Sequence, residues 1–463
     1  MMLLKKIKKI YSGYYKPGGQ KELLILAVPM IISAACDGVM TFTDRLFLSK
    51  VGSEQMNASL AGGTALQMLT FFFFGLIGYT TALTAQYMGA GENHNVSKTT
   101  FQGIIIALIA WPLIVLVKPL VYLLFEFLKT PESQINDQIQ YVFVLIWGSL
   151  FPLLRHTFSC YFVGIGRTRI VMQSTVAAML TNVVLDYVLI FGKFGLQPMG
   201  ITGAALATVA GSVVATVMLF FTYFGSKNYR IFSVGKSFRF SSVIMKKLIY
   251  FGSPAGLEMF LNFIAFFIMV TLFQSQGDVA STAATIMFNW DMVSFIPLVG
   301  LETSVTSLVG RYMGAGRPQV AHRAALSGIK TGIIYSIIIL ILFLFIPKSL
   351  VLVFKPNVQS SIFNSAVPIA VSMIRLASLY VLFEAVVVAL VGALRGAGDT
   401  HFTMIVSAIA HWSFVPLLYI CLNTLKLSVP FSWFVLIMFY LLFSLVLIMR
   451  FRSGKWKAIR VIS

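Results

Sequence analysis

The segment FGLIGYTTALTAQYMGAG at residues 74–91 returns as VGLETSVTSLVGRYMGAG at residues 299–316, an offset of 225 positions. Reading outward at the same offset pairs Pro29 with Pro254 without a gap. Self-similarity at a fixed spacing indicates that the chain consists of two equivalent structural halves.

The composition places the chain in a lipid bilayer. Hydrophobic residues make up 58% of it, charged residues 11%, and the mean hydropathy is +0.88, whereas an ordinary soluble domain has about 25% charged residues. A transmembrane helix needs about 20 mostly apolar residues. The chain contains twelve such runs: 23–48, 57–85, 101–128, 138–162, 170–192, 201–224, 248–273, 280–308, 325–347, 366–393, 402–424 and 428–449.

Backbone polar groups in lipid must bond to one another, which selects helices for runs of this length. We therefore predict an all-α integral membrane protein with twelve transmembrane helices in two pseudo-symmetric six-helix bundles. The bundles are expected at 1–224, which begins with a basic amphipathic segment, and at 248–463, with a cytoplasmic linker at 225–247. Two such halves are typical of a transporter that works by alternating access.

The net charge of +20 is distributed in a way that sets membrane topology. Lys and Arg collect near the start of the chain, in 225–247 and in 450–460, which twelve spans place on one side. The positive-inside rule identifies this side as the cytoplasm. We expect a multi-pass monomer of the inner (cytoplasmic) membrane with both termini in the cytoplasm. A nucleic-acid partner is not expected, because that surface needs an exposed basic domain.

The sequence contains no pattern that predicts catalysis. Gly235-Lys236-Ser237 ends like a phosphate-binding loop, but Arg230 stands where that loop requires another glycine. The five histidines show no metal-ligand spacing, and no Gly-x-Ser-x-Gly elbow is evident. We therefore expect no enzyme activity, no catalytic residue, no metal site and no cofactor, and we expect an H+ or Na+ gradient to drive transport.

Polar residues within two spans form the main candidate site. Asp37 and Asp44 are seven residues apart in the first span, so they share a face about 10 Å from each other along the axis. Asn182 and Asp186 share a face of the fifth span. Because lipid penalises idle carboxylates, we expect Asp44, Asn182 and Asp186 to converge on one cation or to share one proton. The alternative is that Asp44 pairs with Arg45 and Asp186 caps a loop.

The second half has its own acids. Glu258 lies in the seventh span, Asp291 in the eighth and Glu384 well inside the tenth. An unpaired Glu384 would be protonated or hold a cation, unless a neighbouring helix satisfies it. Glu302, close to the inner end of its span, is more consistent with a structural role. A structural or gating role is expected for the glycines of the repeat and for two span prolines: Gly89, Gly91, Gly314, Gly316, Pro29 and Pro254.

Several short motifs occur in the order and spacing of one known family: Val28-Pro29-Met30, Thr43-Asp44-Arg45, Asn182-x-x-Leu185-Asp186, Gly203-Ala204-Ala205-x-Ala207-Thr208 and Leu394-Arg395-Gly396-Ala397-Gly398-Asp399-Thr400. Over residues 22–450 the chain resembles the MATE (multidrug and toxic compound extrusion) transporters. The resemblance implies two six-helix bundles around a V-shaped cleft, and export of drugs or metabolites in exchange for protons or sodium. It also implies that Asp44, Asn182 and Asp186 form a cation site and that Glu384 is the acid of the C-terminal half.

The chain departs from this family pattern in two places. Asn262 stands where the family often has an acid, with Glu258 one turn earlier, and His156 occupies a polar position of the fourth span. Thr208 matches a position that contributes a hydroxyl. A histidine that faces the acid cluster would titrate near pH 6.5 and repel sodium when charged. We therefore predict coupling to protons.

Three functions remain open at this point. The first is an antiporter that exports amphipathic, often cationic, small molecules. The second is a flippase for lipid-linked saccharides, which would favour a cationic cavity and is opposed by the acids. The third is a membrane-embedded transferase, which is opposed by the lack of a catalytic pattern.

Overall fold

The computed structural model describes residues 14–119, 132–356 and 360–462. The basic segment predicted at the start of the chain lies mostly outside the described residues. The described ranges fold into helices and turns, without a strand.

The helices are numbered here in chain order: α1 (Gln20–Val51), α2 (Ser53–Gly78), α3 (Thr80–Ala90), α4 (Asn93–Leu116), α5 (Glu132–Gly148), α6 (Leu150–Gly164), α7 (Thr168–Phe191), α8 (Gly200–Phe224), α9 (Ser226–Ile231), α10 (Ser242–Gln274), α11 (Asp278–Gly314), α12 (Pro318–Phe345), α13 (Pro347–Leu352), α14 (Ser361–Ala377), α15 (Val381–Ala397), α16 (Thr400–Tyr419) and α17 (Val429–Ser453). Short 3-10 turns at Val234–Lys236 and Lys455–Ala458 and a π turn at Ile420–Thr424 complete the described helical structure.

The helices supply the spans that the apolar runs predict. Within the described residues, ten are long and apolar enough to cross a bilayer, with α2 and α3 counted together as Glu54–Ala90. Two bent pairs bring the total to twelve. The pair α5 and α6 meets at 46°, and the pair α14 and α15 meets at 50°. The all-α membrane fold predicted from the sequence is thereby confirmed.

Each bend has a local cause. In the fourth span, Pro152 has no N–H to donate to the carbonyl of Gly148, which stands four residues earlier. In the tenth span, residues 378–380 each donate to the carbonyl three residues before, at 3.0 to 3.2 Å, which tightens the helix into a 3-10 turn. This second bend brings Tyr380 and Glu384 to the wall of a cavity in the second half.

The two halves contact each other through glycines at equivalent positions of the repeat. A methyl group added to Gly75 would collide with the backbone of Gly256, and one added to Gly300 would collide with the backbone of Ile31. The offset of 225 relates Gly75 to Gly300 and Ile31 to Gly256. Helices α2 and α11 therefore each approach a helix of the opposite half at backbone distance.

The same exchange occurs near the ends of the two repeated segments. Gly89 packs against the carbonyl of Arg311, and Gly314 packs against the carbonyl of Gln86, and these residues are again related by 225 positions. We name these two contacts the glycine seal. The buried side-chain amide of Gln86 also donates to the carbonyl of Gly396 at 2.9 Å. The seal joins the halves at the end of the molecule that the charge pattern assigns to the cytoplasm.

The other candidate gating residues have different surroundings. Gly91 and Gly316 have φ of +78° and +67°, and a Cβ at either would meet no atom within 4 Å. Packing leaves room for a side chain at both positions. The positive φ is therefore the reason that glycine is favoured there. Pro29 and Pro254 are buried inside α1 and α10. Their roles in gating stay predictions.

The segment after α17 crosses from one half to the other. Trp456 is fully buried in the apolar core of the second half and stacks on Phe451, with ring centroids 5.3 Å apart. Further along, Val461 packs beside Gly398 and belongs to the apolar core of the first half. This segment therefore adds an apolar link between the two halves.

Candidate functional site

A buried polar cluster joins α1, α7 and α8 in the first half. Asn182 Nδ2 donates to Asp44 Oδ1 at 3.1 Å, and Thr208 Oγ1 donates to Asp44 Oδ2 at 3.1 Å. Asp44 is 6% exposed, while Asn182 and Asp186 are fully buried. Gly211 allows α8 to approach α7 this closely, because a Cβ there would press on the α7 backbone. Four residues chosen from the sequence are thus brought together.

Asp186 completes the cluster without a hydrogen-bond donor. Both of its oxygens, and Oδ1 of Asn182, are buried and have no hydrogen-bond partner among the described residues. Asp186 lies near enough to Asp44 for the charges of the two carboxylates to influence each other. Two neighbouring carboxylates repel each other when both are ionised, and they hydrogen-bond only when one carries a proton. The arrangement can therefore hold one positive charge, either a proton or a hard cation that prefers oxygen ligands.

The structural alternatives for these acids do not match the contacts. Asp44 bonds to Asn182 and Thr208, and the ion pairs of the described residues do not include one between Asp44 and Arg45. Asp186 lies inside α7, so it caps no loop. A role of the cluster in ion coupling stays a prediction.

Asp37 lies apart from this cluster. Its carboxylate accepts two hydrogen bonds from Arg155 Nη2 of α6, at 2.7 and 2.8 Å. Sequence reasoning groups Asp37 with Asp44 because they share a face of α1, but the neighbouring helix gives Asp37 a different partner. Arg155 is missed by that reasoning, although a charged residue within the fourth apolar run is itself a signal of function.

A cavity of about 410 Å³ adjoins both groups. Its polar wall includes Asp37, Asp44, Arg155 and His156. Val299, Gly300 and Thr303 of the second half also line it. His156 Nε2 lies 3.0 Å from the carbonyl oxygen of Phe74. The hydrogen bonds of Asp44 among the described residues come from Asn182 and Thr208, so they do not join His156 to Asp44 as the proton-coupling hypothesis expects.

The second half holds a separate pair of acids in a cavity of about 460 Å³. Tyr380 Oη donates to Asp291 Oδ1. Glu384 lies one turn after Tyr380 and interacts electrostatically with Asp291. The neighbour that the sequence left open for Glu384 is therefore a second acid on α11. Sequence reasoning misses Tyr380, because one tyrosine among many aromatics carries no distinguishing spacing.

Glu258 lines the same cavity as Asp291 and Glu384 but has a different partner. Arg395 Nη2 lies 3.1 Å from Glu258 Oε2, and Arg395 Nη1 lies 2.5 Å from Glu302 Oε1. One guanidinium therefore neutralises carboxylates of both α10 and α11. Asn262, one turn after Glu258, donates to Ser407 at 2.8 Å. The sequence placed Glu258 among the candidate coupling acids, whereas the structure shows it in an ion pair with Arg395.

The family model described as MatE matches residues 29–188 and 254–420 of the chain. The chain belongs to the MatE family. One matched segment falls in each half. Members of this family are transporters and not enzymes, so the chain is a multi-pass membrane transporter, and the transferase hypothesis is set aside.

Curated relatives are similar over most of the chain. The "Probable multidrug resistance protein NorM" of Thermotoga maritima is 25% identical over 443 residues, covering 95% of this chain and 94% of the relative. The "Multidrug resistance protein PmpM" of Pseudomonas aeruginosa is 28% identical over 400 residues, covering 85% of this chain and 81% of the relative.

Solved structures show the same fold. A multidrug resistance MATE family transporter of the MOP superfamily in an outward-facing conformation superposes with a TM-score of 0.85 at 19% identity, covering 94% of this chain and 96% of the other. A MOP superfamily transporter from Pyrococcus furiosus, described as having a binding pocket of reverse polarity, gives 0.86 at 18% identity, covering 97% and 99%. At these identities the likeness establishes the fold alone.

Proposed function

We propose that the chain is a secondary active antiporter that exports amphipathic, often cationic, small molecules in exchange for protons. The observation that carries this proposal is the buried polar cluster of Asp44, Asn182 and Thr208, with the unpartnered carboxylate of Asp186, beside a cavity lined largely by apolar groups. The names of the curated relatives, both multidrug resistance proteins, support the class of substrate.

The pair of acids supplies the coupling. With one shared proton the two carboxylates carry a single negative charge, and without it they carry two. An organic cation in the cavity is attracted more strongly to the second state, so substrate and proton compete. Linkage then requires each to lower the affinity of the other by the same factor. The oxygens of Asp44, Asn182 and Asp186 also suit sodium, which makes sodium the competing choice of ion.

Alternating access would move the halves at 1–224 and 248–463 relative to each other across the linker at 225–247. Exposure of the cavity to the cytoplasm requires the glycine seal to part and the bond between Gln86 and Gly396 to break. The proposal has both termini in the cytoplasm, a monomer as the working unit, and no cofactor besides the coupling ion.

Transport by purified protein in liposomes tests this proposal. Ethidium serves as the organic cation, and an imposed proton gradient is compared with a sodium gradient of equal size. Proton-driven ethidium transport by the wild type, absent from Asp44→Asn, is the expected result. Transport driven by the sodium gradient alone would identify sodium, instead of the proton, as the coupling ion. Wild-type protein that moves no ethidium under either gradient would contradict the antiport proposal and would favour the saccharide flippase.

A further inference from the structure

We propose that Arg155 is a specificity-determining residue that admits substrates carrying a carboxylate as well as a cationic centre. The inference rests on the proposed export function and names a substrate class for the same cavity. Its basis is the position of Arg155, which is the one lysine or arginine among the described residues that line this cavity.

Only part of the Arg155 guanidinium is used by the protein. Both hydrogen bonds to Asp37 come from Nη2. An arginine has five N–H donors in a planar fork, and the hydrogen bonds of the described residues leave those on Nη1 and Nε unused. The side chain is 20% exposed and lines the cavity. A carboxylate that enters the cavity can therefore accept a charge-assisted hydrogen bond from Nη1 or from Nε.

Asp37 makes this guanidinium suitable for a zwitterion. The Asp37 side chain is 43% exposed in the cavity, so one of its faces remains open to a cationic group. An ion pair with this much exposure is only weakly held. A zwitterion can then exchange partners with it, its carboxylate bonding to Arg155 and its cationic group to Asp37, without leaving any charge unpaired. Asp44, a second acidic residue of the cavity wall, lies about 10 Å further along α1.

Arg395, an arginine of the second half, has a different set of partners. Its Nη1 and Nη2 atoms bind Glu302 and Glu258 respectively, so two carboxylates share its charge. Arg155 has one carboxylate partner among the described residues and uses one nitrogen to bind it. Two carboxylates therefore balance the charge of Arg395, whereas one balances the charge of Arg155.

The test compares two fluorophores that differ only at a carboxylate. Rhodamine B is a zwitterion with a free carboxylate, and its ethyl ester is a simple cation. The variant Asp37→Asn/Arg155→Gln removes the ion pair at constant net charge. The variant Arg155→Lys keeps the positive charge but lacks the planar set of N–H donors. Binding to purified protein is measured by fluorescence anisotropy, and transport is measured in liposomes.

The expected result is a loss of about tenfold in rhodamine B affinity for the double variant, or about 1.4 kcal/mol, with a smaller loss for the ester, whose cationic group loses only its contact with Asp37. The rhodamine B affinity of Arg155→Lys should fall between those of the wild type and the double variant. Arg45→Gln, a cation of α1 outside the cavity lining, is the matched control. An equal loss for both dyes would show a structural role and overturn the proposal, as would unchanged rhodamine B binding. Binding without transport would instead count against the export function alone.

Discussion

The two halves share a scaffold but differ in chemistry. Glycine contacts are exchanged between them at matching positions, such as Gly89 on Arg311 and Gly314 on Gln86. The acids, by contrast, have unlike partners, because Asp44 is bound by an amide and a hydroxyl whereas Asp291 is bound by a tyrosine. Backbone contacts between helices tolerate few residue types, while cavity walls tolerate many. The repeated scaffold therefore carries different polar contacts in its two cavities.

The strongest test of this asymmetry removes one acid from the first half. Asp44→Asn should lower gradient-driven export by at least about a hundredfold, or about 2.7 kcal/mol, because the acid that faces Asp186 can no longer exchange a proton. Liposome transport measures the loss, and a symmetrical size-exclusion profile in detergent confirms folding. Export at the wild-type rate would refute the role of the cluster.

The glycine seal should respond equally from either side. Gly89→Leu and Gly314→Leu each place a side chain against a backbone carbonyl of the opposite half, so each should reduce the transport rate by about tenfold or more. Gly63→Leu is the control, because no atom lies within 4 Å of its would-be Cβ. A lower transport rate in only one of the two variants would show that the two contacts are not functionally equivalent.

Substrate affinity should depend on pH through the first half. Ethidium binding in sodium-free buffer should weaken about tenfold between about pH 8 and about pH 5, since the bound proton competes with the cation. Asp44→Asn should flatten this dependence. Affinity that is flat with pH but lowered by added sodium would identify sodium as the coupling ion.

The smallest effect is expected in the second half. Glu384→Gln should reduce the rate by about threefold, because Asp291 remains on α11 and keeps its bond to Tyr380. Transport under the same proton gradient gives the ratio to wild type. A loss as large as that of Asp44→Asn would reverse the proposed ranking of the two halves.

The elements of the fold could be predicted from sequence because each depends on local composition. Apolar run length locates the spans, and the repeat identifies matching glycines at 89 and 314. The convergence of Asp44 with Asn182 and Asp186 also follows from depth and helical spacing. The bend at residues 378–380 could not be predicted, since no proline marks it and it depends on hydrogen bonds three residues apart.

The sequence could not predict which side chains meet between neighbouring helices. Asp37 and Asp44 share a face of α1, yet α6 gives Asp37 an arginine while α7 and α8 give Asp44 neutral donors. Which side chain meets which depends on the rotation and tilt of neighbouring helices, and these are set by packing over the whole bundle. Arg395 illustrates the same limit, because its two acids lie on two other helices.

The glycine seal consists of a Cα on one side and a backbone carbonyl on the other. Such a contact contains no ionisable group, so acidification or added salt does not alter it directly. It also leaves the amino acids of the cavity walls unconstrained. A lineage can therefore exchange cavity side chains and change cargo while the closure between the halves stays the same.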